Sequence, residues 1–284
     1  MKYFRFAVLL VCALLAVFAL GQFAAALNQG ELLRPASLTG NPNNLAIVMV
    51  GALLLALRGR HVALSILFGV VLLLTQSLTG YLAAAAALFV VDTSEEGTPL
   101  WAYLVVLPLH LGIAMVMLAS FGRATSSLEY RFELWGLAWS QLVAHPIVGI
   151  GATALGDYLA AHDSVAPLPI HAHNLYLQVG AAWGVLGAIV FCVMGLTAGR
   201  LALRARELHA AAFLLAVLVG GLGDYIFWFW PMIVLIPVLF GALLIPAVDL
   251  ILGTGTSRPA ARSRIPLRLP DTRPGFKAEH PQRK

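Results

Sequence analysis

Long apolar runs separated by short polar or basic segments succeed one another along most of this chain. A transmembrane helix needs about 20 mostly apolar residues to cross about 30 Å of hydrocarbon. On that measure the pattern predicts an all-α, polytopic integral membrane protein. Its spans fall at 4–26, 43–57, 62–78, 80–92, 98–120, 174–198, 208–224 and 227–250. The second to fourth are short, and Ser77-Leu78-Thr79-Gly80 leaves little room for a turn, so a re-entrant hairpin is the alternative there.

The pattern breaks between the fifth and sixth spans. Residues 121–173 form a connection far longer than the few residues that usually join helices, and loops of that size tend to carry function. Its first part reads as an amphipathic helix. Ser126-Ser127-Leu128-Glu129 has the form of a capping box, Leu128, Phe132, Trp135, Trp139 and Leu142 recur at helical spacing, and Pro146 stops the helix near His145. Such a helix suits the membrane interface. A turn-forming stretch, His145 to Gly151, follows, and then a polar stretch, Gly156 to Pro169. The sequence Ile170-His171-Ala172-His173-Asn174-Leu175 leads into the next span, with Asn174 as its N-cap.

Composition agrees with lipid as the solvent: 60% of residues are hydrophobic, 11% are charged and the mean hydropathy is +0.88. The net charge of +5 does not point to nucleic acid, because the basic residues lie in short inter-span segments and in the C-terminal stretch. With the N-terminus in the cytoplasm, 15 of the 18 Lys and Arg fall on the cytoplasmic side, as membrane topology requires. The exceptions are Arg34, Arg123 and Arg131, which call for another explanation. Residues 1–26 read either as a signal peptide or, being longer than a usual signal core, as an uncleaved anchor, and the anchor is preferred. A transmembrane domain over 1–252 is then followed by a basic, Pro-rich cytoplasmic tail, 253–284, expected to be disordered. Cys12 and Cys192 sit in apolar runs and suggest neither a disulfide nor a thiolate metal site.

The candidate chemistry is sparse. His173 stands at the mouth of a span, beside lipid headgroups, where the plain reading is an interfacial histidine without a task. A zinc site built on His171-x-His173 finds no third or fourth ligand at suitable spacing, so no metal is expected. Arg131 lies within the first two turns of the loop helix. Asp224 lies within or at the outer end of an apolar span, where a carboxylate either meets water or faces a functional cavity.

The ordered set Arg131-Phe-Glu-Leu-Trp135, His145-Pro146-x-x-Gly149-x-Gly151 and His173-Asn174-x-x-Leu177 resembles the signature of the bacterial O-antigen ligase and O-antigen polymerase family. Upstream, Arg34 ahead of Asn41-Pro42-Asn43 is similar to the family's other recurrent motif. Thr75-Gln76-Ser77-Leu78-Thr79-Gly80 resembles a third, with Leu78 where a basic residue is common. The chain is also shorter than typical members and is expected to lack some N-terminal spans.

The resemblance implies a metal-independent, cofactor-free, inverting glycosyltransferase of the bacterial inner membrane, with both termini cytoplasmic. Its donor is a polyprenyl-diphosphate-linked glycan. Its acceptor is lipid A-core for a ligase or another glycan for a polymerase, and membrane lipids are its surroundings. It implies His173 and Arg131 as catalytic, with Arg34, Asn174, Asp224 and His171 at the substrate. A membrane transporter and an inactive or incomplete family member are the alternatives.

Overall fold

The structure is a computed structural model and describes residues 2–31, 33–92, 112, 121–162, 171–227 and 230–251. The described residues are helical or irregular, without strands: α1 (Lys2–Asn28), a short 3₁₀ turn (Ser37–Thr39), α2 (Pro42–Arg58), α3 (Val62–Leu74), α4 (Leu78–Asp92), α5 (Phe121–Ala144), α6 (Ala152–His162), α7 (Leu175–Arg204), α8 (Leu208–Gly220) and α9 (Trp230–Ile251). Seven of the expected spans thus have a helix at their place. The expected span 98–120 and the tail 253–284 lie outside the described residues.

Helix α2 is the centre of the molecule. It is apolar on every face, and every residue from Asn44 to Leu57 is buried, the pattern of a helix enclosed by others. The surrounding helices α1, α3, α4, α8 and α9 pack on it or on one another in one core. Small residues set the close approaches: a Cβ on Gly80 would lie 2.3 Å from that of Ala46, and one on Gly220 would lie 2.7 Å from Ile47 Cδ1. A smaller core, Leu134, Ala138, Leu155, Leu159, Ala172, Ala181 and Ala182, joins α5 and α6 to the first half of α7.

Two described helices, Tyr3–Asn28 and Leu175–Arg204, are long and apolar enough to cross a membrane, and five further apolar helices are shorter. Only 33% and 28% of the most apolar window of the two long helices is buried. In water so much exposed apolar surface would be unfavourable, whereas in lipid it is the ordinary exterior.

Three local expectations are corrected. Helix α5 begins at Phe121, so the chain is already helical at Ser126, because the residues before the capping box continue the helical ladder. The stretch read as polar, 156–169, begins inside α6, where Leu155 and Leu159 stack one turn apart in the smaller core. The turn between α3 and α4 does exist: Thr75 to Ser77 make it in three residues, with Gln76 in the left-handed region at φ 47°.

The two ends of α2 differ in chemistry. At its C-terminal end Arg58 forms a two-pronged ion pair with Glu207 (2.5 and 2.6 Å), and it also donates to Leu243 O. Arg5 donates through Nε to Ala242 O at 3.0 Å. That carbonyl lacks its helical partner because residue 246 is proline, which has no N–H, so a basic side chain supplies the missing donor. At the N-terminal end lies the candidate site, about 20 Å or more away at 1.5 Å per helical residue.

Helix α7 is broken near its first third, at Gly184 (φ 62°, ψ −163°). The His145-to-Gly151 stretch fills the break with four backbone hydrogen bonds. Ile150 N and Gly151 N donate to Ala181 O and Ala182 O (3.0 and 2.9 Å), while Val185 N and Leu186 N donate to Pro146 O and Ile147 O (2.8 and 3.2 Å). Groups freed by a kink, costly in lipid, are thereby satisfied. The approach requires glycine on both sides: a Cβ on Gly149 (φ +68°) would stand 2.4 Å from Ala182 C, and one on Gly184 would stand 2.3 Å from Ile147 O. Gly184→Ala should therefore lose the left-handed conformation, about 1–3 kcal/mol, and expel the loop as well. Gly195→Ala on the same helix, where a Cβ meets nothing within 4 Å, is the control. Thermal unfolding in detergent should show a markedly lower midpoint for the first variant alone, and equal midpoints would contradict this reading of the break.

Candidate functional site

The site forms where the turn after α8 meets the start of α7 and the N-terminal end of α2. Asn174 caps α7: its Oδ1 accepts from Tyr176 N and Leu177 N, both at 3.0 Å, and its Nδ2 donates to Leu222 O at 3.0 Å. Leu175 N donates to Gly221 O at 2.7 Å. Gln178, one turn into α7, accepts from Ala172 N at 2.8 Å. These bonds hold the His171-Ala172-His173 segment against the turn that carries Asp224.

Asp224 is fully buried, which is costly for a carboxylate unless it is well bonded. Its Oδ1 faces His171 Nε2 at 3.2 Å and His173 Nδ1 at 3.1 Å, and accepts from Tyr225 N at 2.8 Å. Its Oδ2 accepts from Asn43 Nδ2 at 2.5 Å. Burial works against the charge, but the bonds from His171 and His173 outweigh it and hold the carboxyl well below the usual carboxylate range. For His171, burial is the largest influence and lowers its pKa; the bond to Asp224 opposes this, and His173 and Arg131 push it down further.

These bonds fix the histidine tautomers. An ionised carboxylate only accepts, so each ring nitrogen facing Oδ1 carries a hydrogen. In neutral His173 the proton is therefore on Nδ1 and the lone pair is on Nε2. Nε2 makes no hydrogen bond among the described residues, and the side chain is 24% exposed. His173 also has a positive φ of 47°, a strained conformation for a non-glycine residue, while the tilted His171 ring and the edge of Tyr130 flank it at 4.2 and 6.3 Å.

Arg34 and Arg131 complete the site. Arg34 donates from Nε to Thr75 O (2.9 Å) and from a terminal nitrogen to Asn43 Oδ1 (3.4 Å), which also accepts from Ser77 Oγ at 2.7 Å. A chain of bonds thus runs from Arg34 through Asn43 to Asp224 and both histidines. Arg131 extends over Gly223: a Cβ there would meet Arg131 Nη1 at 3.5 Å and Thr79 Oγ1 at 2.8 Å, so glycine keeps the space open. Among the described residues no hydrogen bond or ion pair engages the Arg131 guanidinium.

All six site residues expected from the sequence therefore gather in one place. Asn174 has its oxygen and one amide hydrogen bonded within the protein, which makes it a positioning residue. Asn43, Ser77 and Gln178 were not singled out beforehand. Asn43 and Ser77 stood inside the quoted motifs, but the bond that makes Asn43 matter spans 181 residues of sequence. The loop helix presents Phe132 and Trp139 outward, 58% and 57% exposed, whereas Leu134 and Ala138 make its buried face. Of the expected stripe, Phe132 and Trp139 face outward, whereas Leu142 packs against the smaller core.

Comparison with known proteins gives two partial matches. Residues 63–192 match the family model described as O-antigen ligase. A Rickettsia conorii protein provisionally named a polysaccharide ligase is 32% identical over 74 residues, a match covering 23% of this chain and 18% of that relative. No solved structure matches.

Proposed function

We propose that this chain, whose residues 63–192 match the O-antigen ligase family model, moves a glycan from a polyprenyl-diphosphate donor to an acceptor sugar on the periplasmic face of a bacterial inner membrane. The observation that carries the reading is His173, whose Nδ1 faces Asp224 so that Nε2 keeps its lone pair, with the Arg131 guanidinium over the neighbouring Gly223.

In the proposed reaction the acceptor hydroxyl gives its proton to His173 Nε2 as its oxygen attacks the anomeric carbon. Asp224 stabilises the imidazolium that forms. The bond from the anomeric carbon to the diphosphate oxygen breaks, and the electron pair leaves with the lipid diphosphate. Arg131, whose planar fork can take two oxygens at once, meets that charge, with Arg34 beside it. A single displacement inverts the anomeric centre and needs neither metal nor glycosyl-enzyme. His171 holds Asp224 in place. The outward aromatic residues of α5 rest in the interface, and the N- and C-termini lie in the cytoplasm. Supporting this orientation, Arg34 and Arg131 lie at one end of the bundle, while Arg5 and Arg58 anchor the other.

The test is transfer by the purified chain in liposomes supplied with a polyprenyl-diphosphate oligosaccharide. Glycan-acceptor product and free lipid diphosphate should appear in equal amounts. Lipid A-core as the productive acceptor marks a ligase, and a second lipid-linked repeat marks a polymerase. Passage of the glycan across the bilayer without bond formation would replace this reading with transport.

A further inference from the structure

We propose that His171, His173 and Asp224 also form a reversible binding site for a zinc-type divalent ion, and that occupancy switches the site off. The sequence offers only His-x-His, and folding supplies the third ligand from 51 residues away. One donor atom from each residue lies within 4.8 Å of the others. Asp224 Oδ1 stands 3.1 and 3.2 Å from the two imidazole nitrogens. Ligands about 2.0–2.1 Å from a tetrahedral zinc ion stand about 3.4 Å from one another, so the two carboxylate–imidazole distances need to open by only a few tenths of an ångström.

Two imidazoles and one carboxylate are a borderline donor set that suits zinc over magnesium or calcium, which prefer all-oxygen shells. The outer contacts of a metal site are already in place. Asn43 Nδ2 holds Oδ2, Tyr225 N holds Oδ1, and Gln178 fixes the backbone between the histidines. Three protein ligands leave a fourth position, on the partly exposed side of His173, for water.

The switching follows from the tautomers. To ligate through Nδ1, His173 must give up the hydrogen that it donates to Asp224, and in the neutral ring that proton moves to Nε2. His171 faces the ion through Nε2, so the ion is met by two imidazoles and one carboxylate. With Nε2 protonated, His173 has no lone pair for the acceptor hydroxyl. Metal binding and proton acceptance therefore exclude each other even where substrate still has access. This inhibitory half rests on the glycosyl-transfer reading, and the binding half does not.

The test uses the full purified chain, stripped with EDTA and titrated with zinc chloride against a chromophoric chelator. One zinc per chain is expected, and His171→Ala should weaken it about 100-fold or more, since even outer-shell changes cost about 10–100-fold. His162→Ala, an exposed histidine on α6, should bind as the parent does. X-ray absorption on the zinc-loaded parent should show two imidazoles and oxygen ligands, whatever the His171→Ala variant does on purification. Sub-stoichiometric binding, unchanged affinity in His171→Ala or a shell without imidazole would each overturn the site. In the transfer assay, zinc should abolish product and magnesium should not. Full transfer by zinc-saturated protein would overturn the switch. A parent active only with zinc would likewise overturn the switch, and one inactive with and without zinc would count against the transfer reading, with the binding result standing by itself.

Discussion

Asp224→Asn is expected to abolish transfer almost as completely as removal of His173, by about 10³–10⁴ in rate, although the side chain keeps its shape. Both carboxylate oxygens are surrounded by donors: the two histidines and Tyr225 N at one, Asn43 Nδ2 at the other. Wherever the new amide NH₂ points, it meets a donor. Facing the histidines, it donates to His173 Nδ1, drives the ring proton to Nε2 and removes the base. Facing Asn43, it forces that amide to flip and breaks the bonds from Ser77 and Arg34. Transfer rates in liposomes check this, with membrane insertion and thermal midpoint as controls. A variant that inserts normally and keeps more than about a tenth of the parent rate would contradict the tautomer argument.

Arg131→Ala should cost about 10²–10³ in rate, the usual size for removing one donor that stabilises developing charge. Arg131→Lys separates the possible roles. A fork that grips two diphosphate oxygens cannot be replaced by a point charge, so lysine should recover only part of the loss. Simple anchoring of α5 to lipid headgroups would be served nearly as well by lysine. The same liposome assay decides: a Lys variant at the parent rate would remove Arg131 from the reaction. Because Gly223 leaves open the space over which Arg131 lies, neither substitution should disturb the packing beneath it.

What the sequence made legible follows from the range of each interaction. Hydrophobic runs and caps are local, so most helices were readable, as were the Asn174 cap and the helix stop before Pro146. Helix α6 was missed because its apolar residues, Leu155 and Leu159, are few and lie among small and polar neighbours. The break at Gly184 was missed for a different reason: within an apolar run one glycine looks ordinary, and only the docking of the Gly149 loop gives it meaning. At the site, Arg34, Arg131, His171, His173 and Asp224 stood out as polar residues in an apolar chain. Their connections did not. Asn43 looked like a helix-start residue, and only the fold shows that it ties Asp224 to Ser77 and Arg34.

The claim at the centre is that His173 accepts the acceptor's proton while other residues hold the donor. Single-turnover transfer by His173→Ala, with donor affinity measured on the same preparation, tests it most directly. The account predicts donor binding close to that of the parent and a transfer rate lower by about 10²–10⁴. A parent-like rate, or a loss explained entirely by weaker donor binding, would contradict it.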